Sequence, residues 1–151
     1  MTAREPVHSM TPTFTLEQGE AVQDSFTPDR ATYWRDHTKM AAAAMALGMV
    51  ILWVMGNPHV WTGAVGGLAA IAIRAFYIAS DELAARWDLT NRRLLGPGGR
   101  AVRLGEIAKL NRIGSAVQIV THAGDKHLIK YQADGTTTRT RIERAMVVGT
   151  G

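Results

Sequence analysis

MAAAAMALGMVILWVMG (residues 40–56), NPHV (57–60) and WTGAVGGLAAIAIRAFYIAS (61–80) decide how this chain is read. From Met40 to Met55 there are sixteen uncharged residues. As a helix this run is about 24 Å long, against a bilayer core of about 30 Å. Thr38 and Gly56 can lengthen it, and a second apolar run follows at once, interrupted only by Arg74. Neither run has the polar face that a half-buried soluble helix would show. Gly56-Asn57-Pro58-His59 is a turn by composition, with Pro58 placed to open the second helix. The stretch predicts a transmembrane helical hairpin over residues 39–80, with spans at 39–56 and 60–80. Trp53 and Trp61 fall at one end of the pair and Tyr33 and Trp34 near the other, all suited to a membrane interface.

Charge gives the expected topology. The corner between the runs carries no Lys or Arg, whereas Arg30, Arg35 and Lys39 precede the first and Arg86, Arg92 and Arg93 follow the second. By the positive-inside rule both ends of the hairpin face the cytoplasm. The expectation is a two-pass membrane protein with both termini in the cytoplasm. Arg74 reads either as an anchor snorkelling to the near interface or as a cation paired with a partner. Ala44 and Gly48, and Gly63 and Gly67, repeat small residues at a four-residue spacing that lets helix backbones approach. Their leading use is packing the two helices of the hairpin together; the alternative is homodimerisation or docking on another membrane protein.

Residues 1–15 are rich in Thr and Pro without apolar period, and read as a flexible tail. They lack the basic start and apolar core of a secretory signal, so no cleavage is expected. Residues 16–38 mix acids with spaced apolar residues and read as a pre-membrane segment, a short strand or turn approaching the bilayer. Residues 81–151 hold twelve Lys and Arg against seven Asp and Glu, a net of +5, while residues 1–39 are net −2. A basic module next to a membrane anchor suggests attraction to anionic headgroups.

After the hairpin the pattern changes to short runs at 86–90, 93–95, 101–104, 108–113, 116–121 and 126–131, separated by turns such as Gly96-Pro97-Gly98-Gly99 and Ala123-Gly124-Asp125. This spacing predicts about six strands of a compact antiparallel sheet or barrel. Asp134 can cap a final helix, in which Ile142, Ala145 and Met146 share one face.

Trp87-Asp88-Leu89-Thr90-Asn91-Arg92-Arg93-Leu94-Leu95 resembles the W-x-L-T-x-x-R-L entry of bacterial pleckstrin-homology-like domains, carried here by Trp87, Leu89, Thr90, Arg93 and Leu94. The Gly-rich turn, Arg103-Leu104-Gly105-Glu106-Ile107, Val117-Gln118-Ile119-Val120-Thr121 and the closing helix follow in that family's order, and Gly19-Glu20 matches a G-E element before its two transmembrane helices. The resemblance spans about residues 16–148. It implies a curved antiparallel sheet capped by a C-terminal helix, on the cytoplasmic side, without enzymatic activity, in an accessory subunit or assembly factor of a membrane complex. Headgroup-binding members of the wider class use a basic cluster near the first strand pair, where this chain has Arg92, Arg93 and Arg100 but not the spaced Lys…Arg-x-Arg pattern.

Other chemistry is sparse in the sequence. With no Cys, disulfides, thiolate metal sites and cysteine nucleophiles are excluded. His122, Asp125 and His127 flank one turn but lack an evident third strong ligand, and His37 and His59 lie about 33 Å apart along a helix. The acids show no paired spacing for general acid–base work, and the glycine turn lacks the Gly-Lys-Ser/Thr end of a phosphate loop. No catalytic residue, metal or cofactor is expected, nor a nucleic acid or small-molecule substrate. The expected partner is a larger integral membrane complex or a second copy, together with lipids. Candidate docking residues are Gly63, Gly67 and Arg74 in the helices and Trp87, Arg92 and Arg93 beside them. The alternative is an anionic-lipid-sensing module acting through Arg92, Arg93 and Arg100.

Overall fold

The computed structural model describes residues 10–149. Strand β1 (Val22–Phe26) is followed by helices α1 (Arg30–Val54) and α2 (Trp61–Ala84). Then come β2 (Trp87–Thr90), β3 (Arg93–Leu95), β4 (Ala101–Arg103), β5 (Ile107–Ile113), β6 (Ala116–Thr121), β7 (Lys126–Ile129) and helix α3 (Gly135–Gly149). The chain divides into two units, one of residues 30–80 and one formed jointly by the segments on either side.

The sheet unit holds two antiparallel sheets, ordered β1-β2-β3-β4 and β5-β6-β7. Six of these strands fall close to the expected runs, because the runs are short, apolar-rich and separated by turn signals. β1 does not: it pairs with β2, with Phe26 opposite Trp87 and Ser25 opposite Asp88. The hairpin is therefore an insertion between two neighbouring strands of one sheet. This corrects the expected boundaries, in which residues 16–38 stood apart as a pre-membrane segment. Residues 22–26 complete the sheet, and the helix begins at Arg30 rather than at 39. The polar start of α1 hides a stripe of buried positions, Tyr33, His37 and Ala41, at the spacing of one helix face.

The expected tail over 1–15 also needs revision. Residues 1–9, including His8, lie outside the described residues. Beyond them the chain is fastened to the sheet unit: the Met10 carbonyl accepts from the Arg86 amide at 2.8 Å. The Thr15 carbonyl accepts from Arg93 at 3.2 Å.

The core of this unit gathers Phe26, Trp87, Leu89, Leu94, Val102, Leu104, Ile107, Leu110, Val117, Ile119 and Ile129 from the strands and their turns. α3 closes it with Ile142 and Ala145, and Met146 packs alongside. Asp134 accepts from the Thr137 amide, which caps the helix where the sequence placed a cap. Gly96 is required by space: a Cβ there would stand 2.6 Å from the Trp87 ring.

In the hairpin unit, α1 ends at Gly56 with φ +74°, and the Gly56 and Asn57 amides bond back to the Trp53 and Leu52 carbonyls. That is a Schellman termination, which needs the left-handed residue that glycine supplies. Asn57 Oδ1 then accepts from the His59 amide at 2.8 Å and shapes the corner.

Candidate functional site

Three features of this chain can carry function: a buried polar staple, a basic-rimmed cavity and the outer surface of the helical hairpin.

The staple explains the Leu-Thr-x-x-Arg signature. Thr90 ends β2, and its hydroxyl oxygen accepts from the Arg92 and Arg93 amides at 3.1 and 2.8 Å, fixing the β2–β3 turn. The same hydroxyl donates to Glu20 Oε2 at 2.6 Å. Arg93 donates twice to that carboxylate, Nε to Oε2 at 3.0 Å and Nη2 to Oε1 at 2.7 Å. The Glu17 amide adds a fourth bond at 2.8 Å. The paired guanidinium and hydrogen bonds hold the Glu20 carboxyl down at about 2, although burial opposes this. The Phe14 ring lies 5.7 Å from the Arg93 guanidinium carbon. Glu20 and Arg93 thus join the segments before and after the hairpin in one ion pair. Sequence reasoning singled out both residues and did not see that they are partners.

This accounting changes the expected basic cluster. Arg93 is committed to Glu20 and nearly enclosed, so its charge is not open to a headgroup. Arg92 is exposed and lies 3.7 Å from Glu17, which also binds Arg103 at 2.8 Å. Arg100 is exposed, with one bond to the Pro97 carbonyl at 3.0 Å. The three arginines therefore do not form one open patch. Trp87, a candidate contact, is 3% exposed and belongs to the core with Leu89 and Leu94.

A cavity of about 680 Å³ opens within the sheet unit. Its apolar wall includes Phe26, Trp87, Pro97 and Ile129, and Arg100, Lys126 and Lys130 stand among its lining groups with Glu82. Lys130 and Glu82 approach to 3.6 Å. His127 stacks edge-on to Trp87 at 6.1 Å. Burial, with Arg100 nearby, lowers the His127 pKa, partly offset by Asp125, so the imidazole is neutral at neutral pH. A cavity built this way suits an anion with an apolar portion. Residue type and spacing gave no hint of it, because its lining is drawn from separated stretches at residues 10, 26–28, 82–87, 97–100 and 126–132. Among the described residues no three of His, Cys, Asp and Glu gather as metal ligands.

No protein-family model, curated protein or solved structure matches this chain. Its function has to be read from its own geometry.

Most of the exposed large hydrophobic side chains among the described residues lie in the hairpin. α1 and α2 are each long and apolar enough to cross a membrane. Their small residues meet each other: Gly48 faces Gly63, and Ala44 faces Gly67, so closely that a Cβ at any of these glycines would strike the opposite backbone. Gly63 and Gly67 therefore form the internal seam and are not open to another protein. Tyr33 is fully buried and donates its hydroxyl to the Ala75 carbonyl at 2.6 Å, so it holds the helices together rather than meeting lipid. Trp34 packs against Phe76 at 5.2 Å. The outside is different. Leu47, Val50, Val54, Val65, Leu68 and Ile73 are exposed, and Trp53 and Trp61 stand exposed on either side of the corner. Arg74 lies on this outer surface.

Proposed function

We propose that this chain is a membrane-anchored interaction protein without enzymatic activity, an accessory subunit or assembly factor that docks on a larger integral membrane complex. The observation that carries it is the hairpin: two helices sealed to each other by glycine, whose outer surface between the charged ends is apolar and exposed apart from Arg74. Burial of apolar surface contributes about 25 cal/mol per Å², so such a surface is stable in lipid or against a partner and costly in water. Trp53 and Trp61 support an interface at the corner, and the charges flanking the hairpin support a topology with both its ends in the cytoplasm. On this reading the membrane is a bacterial inner membrane. The four-plus-three strand layout with a closing helix supports kinship with the bacterial pleckstrin-homology-like domains.

The test has two arms. Membranes containing the chain are washed with alkaline carbonate, and retention in the pellet is expected. The tagged chain is then purified in mild detergent, where a stoichiometric membrane complex is expected and a lone monomer would sink the proposal. A reporter active only outside the cytoplasm, fused after Gly151, should be silent.

A second reading is favoured by the cavity. Arg100, Lys126 and Lys130 beside an apolar wall would suit an anionic lipid headgroup and the start of its chains. Arg93 has no part in this version. Binding of a short-chain anionic phospholipid to the full chain in detergent should weaken at least tenfold in Arg100→Ala/Lys126→Ala. Unchanged binding would remove the reading.

A further inference from the structure

β7 lies at the margin of its sheet and pairs only with β6, so one of its edges has no strand beside it. An antiparallel ladder turns the backbone groups of alternate residues toward the neighbouring strand and those between them away. The Thr121 amide bonds to the Asp125 carbonyl at 2.9 Å, which sets the order along this hairpin. Asp125, His127 and Ile129 address β6, so Lys126 and Leu128 turn their N–H and C=O groups outward. Past Lys130 the chain closes the edge itself. The Tyr131 carbonyl accepts from the Asp29 amide at 2.7 Å, and the Lys130 carbonyl accepts from Gln132 Nε2 at 3.1 Å. At Lys126 and Leu128 no described residue takes up the outward groups.

The open edge is also a wall of the cavity. The run from Lys126 to Lys130 lines it without a gap, and a strand does this only along an edge, since each of its faces shows alternate residues. The two sides of that edge differ. On the inner side His127 meets the Trp87 ring at 6.1 Å and Ile129 is fully buried, and Phe26 extends the apolar floor. On the outer side Lys126, Leu128 and Lys130 are exposed. Lys130 has Glu82 at 3.6 Å, whereas Lys126 makes no ion pair with a described residue.

Open backbone groups, an apolar floor and an uncompensated cation set three requirements for an occupant. A lipid brings an apolar chain and a phosphate but no row of N–H groups to give to the Lys126 and Leu128 carbonyls. An extended peptide brings donors and acceptors in the right alternation. Its side chains then alternate as those of β7 do, one set entering beside Trp87 and Phe26 and the other lying next to Lys126. Charge selects acids for the second set. The same edge of a second copy, paired about Leu128, would instead bring Lys126 beside Lys130. We propose that the cavity is a strand-addition site for an extended segment of another protein, in which apolar and acidic residues alternate, paired with the backbone of Lys126 and Leu128. The inference rests on the docking reading above and names the chemistry of the segment that docks.

The test selects random octapeptides displayed on phage against the tagged full chain in mild detergent, and the enriched peptides are then synthesised with a fluorophore. They should alternate apolar and acidic residues, and Lys126→Glu should weaken their binding at least tenfold. N-methylation of the peptide amides one at a time should cost about tenfold at every second position and little between, as a strand pair requires. Leu128→Pro removes one outward N–H and leaves the bonds to β6, so it should cost as much. If that variant does not fold, Lys126→Glu and the N-methyl series still decide. No enrichment, enrichment without acids, or N-methyl losses that do not alternate overturn the proposal. So does a change of oligomeric state in Lys126→Glu, which would give the edge to a second copy. Binding of dihexanoyl-phosphatidylglycerol that Lys126→Glu abolishes, with no peptide selected, assigns the cavity to lipid and overturns it too. If peptides are selected but the chain purifies as a lone monomer, the docking reading fails and the site stands; if a complex purifies and no peptide is selected, only the site fails.

Discussion

Replacing Glu20 by Gln removes one charge from an enclosed ion pair while keeping the side chain's size. The Glu20 side chain has no exposed surface and that of Arg93 is 11% exposed, so solvent cannot compensate either. The carboxyl is held at about 2 against an ordinary 4.5. At about 1.4 kcal/mol per unit, this difference corresponds to about 3 kcal/mol of stability at neutral pH. That agrees in size with the roughly 3–5 kcal/mol lost when one member of a buried pair is removed. In a unit of this size the melting temperature should fall by roughly 10–20 °C. The assay is protease sensitivity of the sheet unit during a thermal ramp of the full chain in mild detergent. A folded pKa below the unfolded one means the stabilisation is complete above about pH 4.5 and lost as pH falls toward about 2. The gap between wild type and Glu20→Gln should therefore close across that window. Glu20→Gln/Arg93→Gln should lose less than the two single changes together, since no charge is left buried alone. A shift under about 2 °C at pH 7, or a gap independent of pH, would refute the reasoning.

Three further outcomes follow from the packing. Gly63→Val should force the hairpin apart and lower its resistance to SDS unfolding by about 1–3 kcal/mol, whereas Gly66→Ala, with open space around it, should leave that resistance unchanged. Gly96→Ala should cost a similar amount by striking Trp87, read as a lower denaturant midpoint of the sheet unit. Because Phe26 lies opposite Trp87, replacing residues 30–80 by a four-residue Gly-Ser linker should yield a water-soluble, cooperatively unfolding sheet unit; an insoluble or molten product would contradict the insertion topology.

Local signals carried most of the strand pattern. The runs after the hairpin are short and bounded by turn residues, which placed β3 over 93–95, and β6 over 116–121 also alternates in burial as its sequence period requires. The closing helix was legible from Asp134 and from the shared face of Ile142, Ala145 and Met146. β1 was not legible as part of the sheet. Its partner lies beyond the whole helical hairpin, and nothing in a five-residue strand reports a pairing at that separation. The staple was hidden for the same reason, since Glu20 and Arg93 are 73 residues apart. The cavity was hidden because its lining comes from five separated stretches of the chain.

Sequence by itself determined the two long apolar helices, the uncharged corner between them and the order of strands that follows. These depend on composition and on periods of two and 3.6 residues, which a chain displays locally. Tertiary structure decided which groups remain open to a partner. Gly63 and Gly67 are spent on Gly48 and Ala44, and Arg93 on Glu20, whereas Gly66, Ala70 and Arg74 stay on the outside. The difference arises because small residues and charges act through their neighbours, and those neighbours are fixed only when distant segments pack.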